Sequence, residues 1–240
     1  MIVADDETTT LVKVCGLTRP KDVALAVELG AWAVGFVLAD SPRQVDADAA
    51  AALVRFAHRA AAASHPTLTV LVFTTESADV ITRAVLVTHA DAVQLSAGRR
   101  GAAVGAVRDS LFAVRRRDVM IIAAADTADA EAADYVLRDS RGCSTWGGTG
   151  VPLDWARLAH DPGFDRHRLV LAGGLTPANV GEAIRLVRPR VVDAASGLEQ
   201  RAGVKDPGLM RAFFAAAAQA DRHCRLQDQA LGPSSGGSHL

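Results

Sequence analysis

Short runs of β-branched and other apolar residues alternate along this chain with Ala-rich stretches of helical length. Several of the runs lack the polar alternation of a half-exposed strand, which indicates strands that are buried on both faces. Eight runs are predicted as strands, at residues 11–15, 33–37, 68–73, 92–95, 119–123, 135–139, 169–172 and 191–195. Parallel strands that are linked by crossover helices have this pattern.

The stretches between the runs predict the helices, at residues 20–29, 47–63, 77–87, 102–114, 127–133, 155–159, 177–187 and 207–220. Eight strand–helix pairs favour an α/β fold with one domain, a parallel eight-stranded (βα)8 TIM barrel, over an open doubly wound sheet, which stays the alternative. We expect the barrel domain at 11–222, after a flexible N-terminal extension at 1–10 and before a disordered C-terminal tail at 223–240.

Composition and charge indicate what kind of partner the chain binds. Half of its 240 residues are hydrophobic, enough for a sizeable interior, and the formal net charge is −1 with a pI near 6.7. Nothing in this balance favours nucleic acid or a membrane surface. The first residues are polar and acidic, unlike a secretory signal, and no apolar run approaches membrane-spanning length. We expect a cytoplasmic protein with a small-molecule partner.

The residues that most often bind metals, Cys and His, are not spaced along the chain as a metal site requires. Cys15, Cys143 and Cys224 are few, odd in number and far apart, which argues against both a disulfide framework and a CxxC metal site. The seven histidines are scattered. The sequence therefore predicts no metal and no cofactor, in a reducing compartment.

In a (βα)8 barrel the reactive groups lie at the carboxyl ends of the strands and on the loops that follow them. The polar and glycine-containing segments at these positions are residues 13–18 (KVCGLT), 41–43 (SPR), 137–140 (LRDS), 172–176 (AGGLT) and 193–197 (DAASG). They include a thiol after the first strand and a carboxylate at the end of the sixth, which are candidates for proton transfer.

Four groups of motifs, in order from residue 11 to about residue 220, resemble the phosphoribosylanthranilate isomerase family of tryptophan biosynthesis. The first is residues 13–18, and the second is Gly35 and Phe36 with residues 41–43. The third is Asp139 with residues 147–150 (GGTG) and 154–155 (DW). The fourth is residues 171–177 (LAGGLTP) with 192–193, 196–197 and 204–207 (VKDP).

The resemblance implies a TIM-barrel isomerase for an Amadori rearrangement, in which N-(5-phosphoribosyl)anthranilate becomes 1-(2-carboxyphenylamino)-1-deoxy-D-ribulose 5-phosphate. Asp139 is then the general acid that protonates the ribose ring oxygen. Cys15 is the general base that removes the C2′ proton. From position alone, Cys15 could equally be an inert buried thiol and Asp139 a loop-capping carboxylate.

A thiol needs a lowered pKa to act as a base at neutral pH, and a nearby cation can provide it. Lys13 lies two residues before Cys15, so strand alternation points it to the same side and deeper. The same alternation places Arg138 on the helix-facing side if Asp139 faces the barrel axis, an awkward position for a charge.

The remaining predicted contacts concern the substrate's two anionic groups. Gly173 and Gly174 after the seventh strand, and Ser196 and Gly197 after the eighth, occupy the places where barrels commonly bind phosphate. Tight turns are the alternative reading of these glycines. Arg43 is predicted to pair with the anthranilate carboxylate. We also assign substrate-binding roles to Lys13, Gln94 and Asp193, which complete the predicted site.

The chain departs from the family pattern at two loops of the barrel mouth. Ser96 replaces the family's His after the fourth strand, and Thr75 replaces its Asn after the third. Three readings follow: an ordinary isomerase, an enzyme of the same class for a different phosphoribosyl-amine such as the histidine-pathway aminoaldose, or a non-catalytic paralogue. The family of the histidine-pathway enzyme typically has Asp where this chain has Cys15. Both a monomer and a homodimer fit the sequence.

Overall fold

The computed structural model describes residues 9–61, 66–139, 155–160 and 165–231, and these residues form a closed barrel of eight parallel strands. The strands follow one another in chain order, and the first pairs with the eighth to close the barrel. They are β1 (Leu11–Val14), β2 (Ala33–Val37), β3 (Leu68–Phe73), β4 (Ala92–Leu95), β5 (Met120–Ala124), β6 (Tyr135–Asp139), β7 (Leu169–Ala172) and β8 (Val191–Ala194). The predicted (βα)8 TIM barrel is confirmed, and the open sheet is excluded.

Helices follow most of the strands in the described ranges. They are α1 (Pro20–Glu28), α2 (Ala47–Ala60), α3 (Ala78–Thr88), α4 (Val104–Ala113), α5 (Trp155–Ala159), α6 (Val180–Val187) and α7 (Pro207–Leu231). The helix predicted at residues 127–133 is wrong, because a short 3₁₀ turn at Ala130–Ala132 takes its place. Asp129 has a φ of 58°, a left-handed conformation that a right-handed helix cannot contain.

Two apolar layers hold the barrel together. A larger layer packs the outer face of the strands against the helices and includes Val14 of β1 and Val192 of β8. A smaller layer fills the barrel interior and includes Leu11, Leu137 and Val191. Because side chains alternate along a strand, residues two and four positions beyond an interior residue also face the axis. This rule fixes which polar side chains reach the mouth.

Helix α7 fastens the start of β1. The backbone N–H of Thr10 donates to both carboxylate oxygens of Asp221, at 3.2 and 3.1 Å, and Arg188 pairs with Asp228 at 2.9 Å. The helix therefore continues through residues 223–231, where the sequence predicts a disordered tail, and this boundary is corrected to Leu231. The predicted extension up to residue 8 and the tail from residue 232 lie outside the described residues.

Candidate active site

A buried ion pair lies at the carboxyl end of the barrel, between β1 and β8. Lys13 and Asp193 are paired in the strand register, and Lys13 Nζ donates to Asp193 Oδ2 at 2.9 Å. Lys13 is fully buried and the carboxylate nearly so. Burial alone would lower the pKa of Lys13, but the charges of Asp193 and Cys15 outweigh it and hold this pKa above its ordinary value. The site therefore contains a buried lysine that is paired with a carboxylate.

Cys15 follows β1 and lies beside that lysine. Its backbone N–H donates to Ala194 O at 2.9 Å, which fixes the residue against β8. Gly35 of β2 leaves the space for the thiol, since a Cβ there would lie 2.9 Å from Cys15 Sγ and 3.4 Å from Lys13 Nζ. Burial raises the pKa of the thiol above its ordinary value, and Lys13 and Lys205 offset only part of this effect.

Asp139 is the last residue of β6 and pairs in register with Ala172 of β7. Tyr135 and Leu137 contribute to the interior layer, so alternation turns Asp139 toward the axis. Arg138 is consequently on the helix-facing side, as expected when Asp139 faces the barrel axis. Residues 140–154, which follow Asp139, lie outside the described residues.

Arg43, predicted to bind the substrate carboxylate, is held by a protein carboxylate in this structure. Its Nε and Nη2 bind the two oxygens of Glu199 at distances of 2.8 to 3.1 Å. The arginine lies over Gly16, because a Cβ at Gly16 would come 2.5 Å from Arg43 Cδ. The side chain of Arg43 therefore packs against the residue that follows Cys15. Glu199 is not among the predicted site residues, although it follows the Ser196–Leu198 turn directly.

Among the buried acceptor atoms without a hydrogen-bond donor in the part of the chain that the structure describes are Oε1 of Gln94 and Oδ1 of Asp193. Gln94 lies two residues after Ala92, an interior residue, and its Nε2 donates to Ser96 Oγ at 3.0 Å. A buried acceptor that lacks a donor costs about 1–3 kcal/mol. Both atoms can accept hydrogen bonds from hydroxyl groups of a ligand at the mouth.

The glycine-containing loops after β7 and β8 touch each other. Gly173 and Gly174 have φ values of 93° and 67°, which L side chains rarely adopt. Gly197 packs so closely on the carbonyl of Leu175 that a Cβ there has no room. Ser196 begins a 3₁₀ turn. The four predicted phosphate-binding residues thus lie on two adjoining loops whose backbone approaches closely.

Within the described ranges, no group of three or more His, Cys, Asp or Glu side chains is arranged to hold a metal ion. None of the described helices combines the length and the apolar character that crossing a membrane requires. Cys15 and Cys224 are free and buried, and Cys143 lies outside the described residues.

The family that matches this chain and a curated relative carry the same description. The family described as "N-(5'phosphoribosyl)anthranilate (PRA) isomerase" matches residues 12–216. The N-(5'-phosphoribosyl)anthranilate isomerase of Erythrobacter litoralis is 37% identical over 217 residues, which cover 88% of this chain and 100% of the relative.

Solved structures agree with this match. A phosphoribosyl anthranilate isomerase in complex with reduced 1-(o-carboxyphenylamino)-1-deoxyribulose 5-phosphate is 27% identical, with a TM-score of 0.66 and coverage of 88% of this chain and 100% of that one. Monomers of the dimeric phosphoribosylanthranilate isomerase of Thermotoga maritima are 26% identical, with the same TM-score of 0.66 and the same coverage of 88% and 100%. The chain therefore belongs to the N-(5'-phosphoribosyl)anthranilate isomerase family.

Proposed function

We propose that this chain catalyses the Amadori rearrangement of N-(5-phosphoribosyl)anthranilate to 1-(2-carboxyphenylamino)-1-deoxy-D-ribulose 5-phosphate in tryptophan biosynthesis. The observation that carries the proposal is the placement of Cys15 and Asp139 at the same end of a barrel of this family, after β1 and at the end of β6. An acid and a base on different strands can act on opposite parts of one bound sugar. The other phosphoribosyl-amine and the non-catalytic paralogue are not favoured by the family match.

Formation of the enolamine intermediate needs two proton transfers and no oxidant. Asp139 gives its proton to the ribose ring oxygen, the bond from that oxygen to C1′ breaks, and an iminium forms with the anthranilate nitrogen. The Cys15 thiolate then removes the proton from C2′ to give an enolamine. The enolamine gains a proton at C1′ and loses the proton of its C2′ hydroxyl to become the ketone of the product, so that the thiol proton is released and the Asp139 carboxyl is protonated again. Lys13 is positioned to stabilise the thiolate, and its pairing with Asp193 holds it there.

The proposed binding groups contact two parts of the substrate, its ribose hydroxyls and its phosphate. We propose that Gln94 Oε1 and Asp193 Oδ1 accept hydrogen bonds from ribose hydroxyls, because both atoms are buried and have no donor among the described residues. We propose that Gly173, Gly174, Ser196 and Gly197 surround the phosphate. We also propose that the enzyme is cytoplasmic. It is proposed to be a monomer or a homodimer, since one relative is described as a dimer from which monomers were generated.

The proposed function is tested with purified protein and freshly prepared N-(5-phosphoribosyl)anthranilate, whose fluorescence is lost as it reacts. We expect turnover with this compound and none with the histidine-pathway aminoaldose phosphate. Turnover of the second compound alone would replace the proposed substrate, and turnover of neither would contradict the proposed activity.

Replacing Arg43 should weaken binding of the carboxylated substrate selectively. In the Arg43→Ala variant we expect KM for phosphoribosylanthranilate to rise at least about tenfold, since a charge-assisted hydrogen bond contributes about 1.5–3 kcal/mol. KM for N-(5-phosphoribosyl)aniline, which lacks the carboxylate, should change little. Steady-state kinetics on both compounds measures the difference, and an equal rise for both would remove Arg43 from the carboxylate site.

Replacing Gly197 should weaken binding of phosphate. In the Gly197→Ala variant the new Cβ must displace the Leu175 carbonyl, so the loops after β7 and β8 separate. We expect inhibition by inorganic phosphate to weaken at least about threefold, on the scale of one lost hydrogen bond. Gly105→Ala, in α4, is the matched control, because a Cβ there comes no closer than 3.6 Å to another residue and inhibition by inorganic phosphate should stay at the wild-type level. An unchanged inhibition constant in Gly197→Ala would place the phosphate elsewhere.

A further inference from the structure

A small hairpin follows β8 and lies against the loops that follow β1 and β2. Its antiparallel strands are β9 (Glu199–Arg201) and β10 (Val204–Lys205). Thr18 Oγ1, in the loop after β1, donates to Gly203 O at 2.6 Å. The position of Gly203 also brings it near Pro42 O, in the loop after β2. The hairpin therefore joins loops that come from three strands of the barrel.

Glu199, at the first position of the hairpin, is almost completely buried and binds two cations. Its carboxylate receives the forked pair of hydrogen bonds from Arg43 and a further bond from Lys205 Nζ at 2.8 Å. Burial alone would raise the pKa of Glu199, but the hydrogen bonds from Arg43 and Lys205 outweigh it and hold this pKa below its ordinary value. The carboxylate therefore stays charged and keeps the guanidinium in one orientation.

Lys205, at the last position of the hairpin, is fully buried, and its ammonium group has three acceptors. Besides Glu199, these are Cys15 O at 2.6 Å and Ala195 O at 3.0 Å. One ammonium thus fixes the main chain at the proposed base and at the residue before Ser196, where the phosphate turn begins. An ammonium group has three donors, and here all of them are used.

We propose that Glu199 and Lys205 are positioning residues for the proposed isomerase reaction, on which this inference rests. Glu199 holds Arg43 so that its Nη1 side meets the substrate carboxylate. Lys205 binds the carbonyl oxygens of Cys15 and Ala195 and so holds these two stretches of main chain in one position relative to each other. Neither residue needs to touch the substrate.

The cluster of Arg43, Glu199 and Lys205 carries a charge that favours binding of an anionic ligand. Arg43 and Lys205 are two cations, and Glu199 is the one anion that both of them bind. One net positive charge therefore remains beside Cys15. A simple structural ion pair would be neutral, whereas this cluster keeps an attraction for the carboxylate that Arg43 is proposed to bind.

The Glu199→Gln variant tests the first half of the inference. We expect KM for phosphoribosylanthranilate to rise about tenfold to a hundredfold, because a misplaced binding group loses the productive geometry. KM for the aniline analogue should rise much less. Arg201→Gln is the matched control, since Arg201 is an exposed residue of the same hairpin and its replacement should change neither KM. If Glu199→Gln does not fold, Glu199→Asp, which keeps the charge on a shorter side chain, serves for the same comparison.

The Lys205→Met variant tests the second half through the Cys15 thiol. The charge of Lys205 lowers the pKa of this thiol, so its removal should shift thiolate formation to higher pH. Thiolate absorbance is followed against pH, with the signal of the same variant carrying Cys15→Ser subtracted. We expect kcat to fall as well, and Lys205→Arg, which keeps the cation, to recover part of both effects.

The outcomes separate this inference from the proposed function. A wild-type protein that converts neither compound overturns the proposed function and this inference with it. A wild-type protein that is active, together with a Glu199→Gln variant that raises both KM values equally or leaves both unchanged, overturns the role of Glu199 alone. An unshifted thiol titration together with an unchanged kcat in Lys205→Met overturns the role of Lys205.

Discussion

The Cys15→Ala variant is expected to lose at least about a hundredfold in kcat, the usual scale for a positioned general base. Lys13 lies next to the thiol, and Gly35 leaves the space that the thiol occupies. Without it, the loop after β1 (residues 15–19) has no thiol or carboxylate that could take the C2′ proton. The measurement is steady-state turnover of phosphoribosylanthranilate, with thermal unfolding as the check that the barrel is intact.

Two further variants separate the acid–base role of Cys15 from its packing role. Cys15→Ser keeps the size of the side chain but has a much weaker acid group, so we expect a loss close to that of Cys15→Ala. Cys224→Ala removes the other free, buried thiol of the described residues, which lies on α7, and should leave turnover unchanged. Near-wild-type turnover in Cys15→Ala would make the assignment wrong, with Cys143 as the rival base.

Burial of the thiol makes its titration informative. Because burial raises the pKa of Cys15 above the ordinary value, the free enzyme should form thiolate only at a pH higher than an exposed cysteine would require. Lys13 opposes this shift, so Lys13→Met should move thiolate formation higher still. Thiolate absorbance, with the signal of a Cys15→Ser protein subtracted, measures both shifts. A titration below the ordinary range in wild type would contradict the effect of burial.

The strands of this fold could be predicted closely because their signal is local. The bounds of β2, β3, β4, β6 and β7 are the predicted ones. Strands β2, β3, β4 and β7 are short, mainly apolar runs that are buried on both faces, which a single sequence displays directly. Strand β6 is only partly buried and ends in two charged residues. The helix predicted at residues 127–133 failed because its Ala-rich composition concealed the left-handed conformation of Asp129.

The extent of α7 was not predictable from local pattern. Its final turns contain polar residues that resemble a solvated tail. In the structure, Asp228 pairs with Arg188 and Arg225 donates to Thr9 Oγ1 at 3.2 Å, so contacts with α6 and with the start of β1 extend the helix. Such contacts join positions that are far apart in the chain.

In the candidate site, too, local pattern predicts some features and long-range contacts determine the others. Period-two alternation was enough to predict that Lys13 lies on the same side as Cys15. The pairing of Lys13 with Asp193 depends on the register between β1 and β8, which only barrel closure determines. The contact of Arg43 with Glu199 spans 156 positions and needs the hairpin after β8, so sequence reasoning assigned Arg43 and missed its partner.

The Asp139→Asn variant is expected to lose at least about a hundredfold in kcat, because the amide keeps the size of the carboxyl group but cannot give a proton to the ribose ring oxygen. Asp126→Asn is the matched control, since Asp126 is a carboxylate in the loop after β5, beside Gly98, and its replacement should leave turnover near the wild-type level.

The order of the two proton transfers allows the roles of Asp139 and Cys15 to be separated with substrate that carries deuterium at C2′. In Asp139→Asn, ring opening becomes the slow step, and it precedes cleavage of the C2′ bond. The isotope effect on turnover should therefore approach one. In Cys15→Ser, removal of the C2′ proton is the slow step, so the isotope effect should be large. A large effect in Asp139→Asn would mean that ring opening is not limited by this carboxylate, and the acid would then have to be sought on another strand of the barrel mouth.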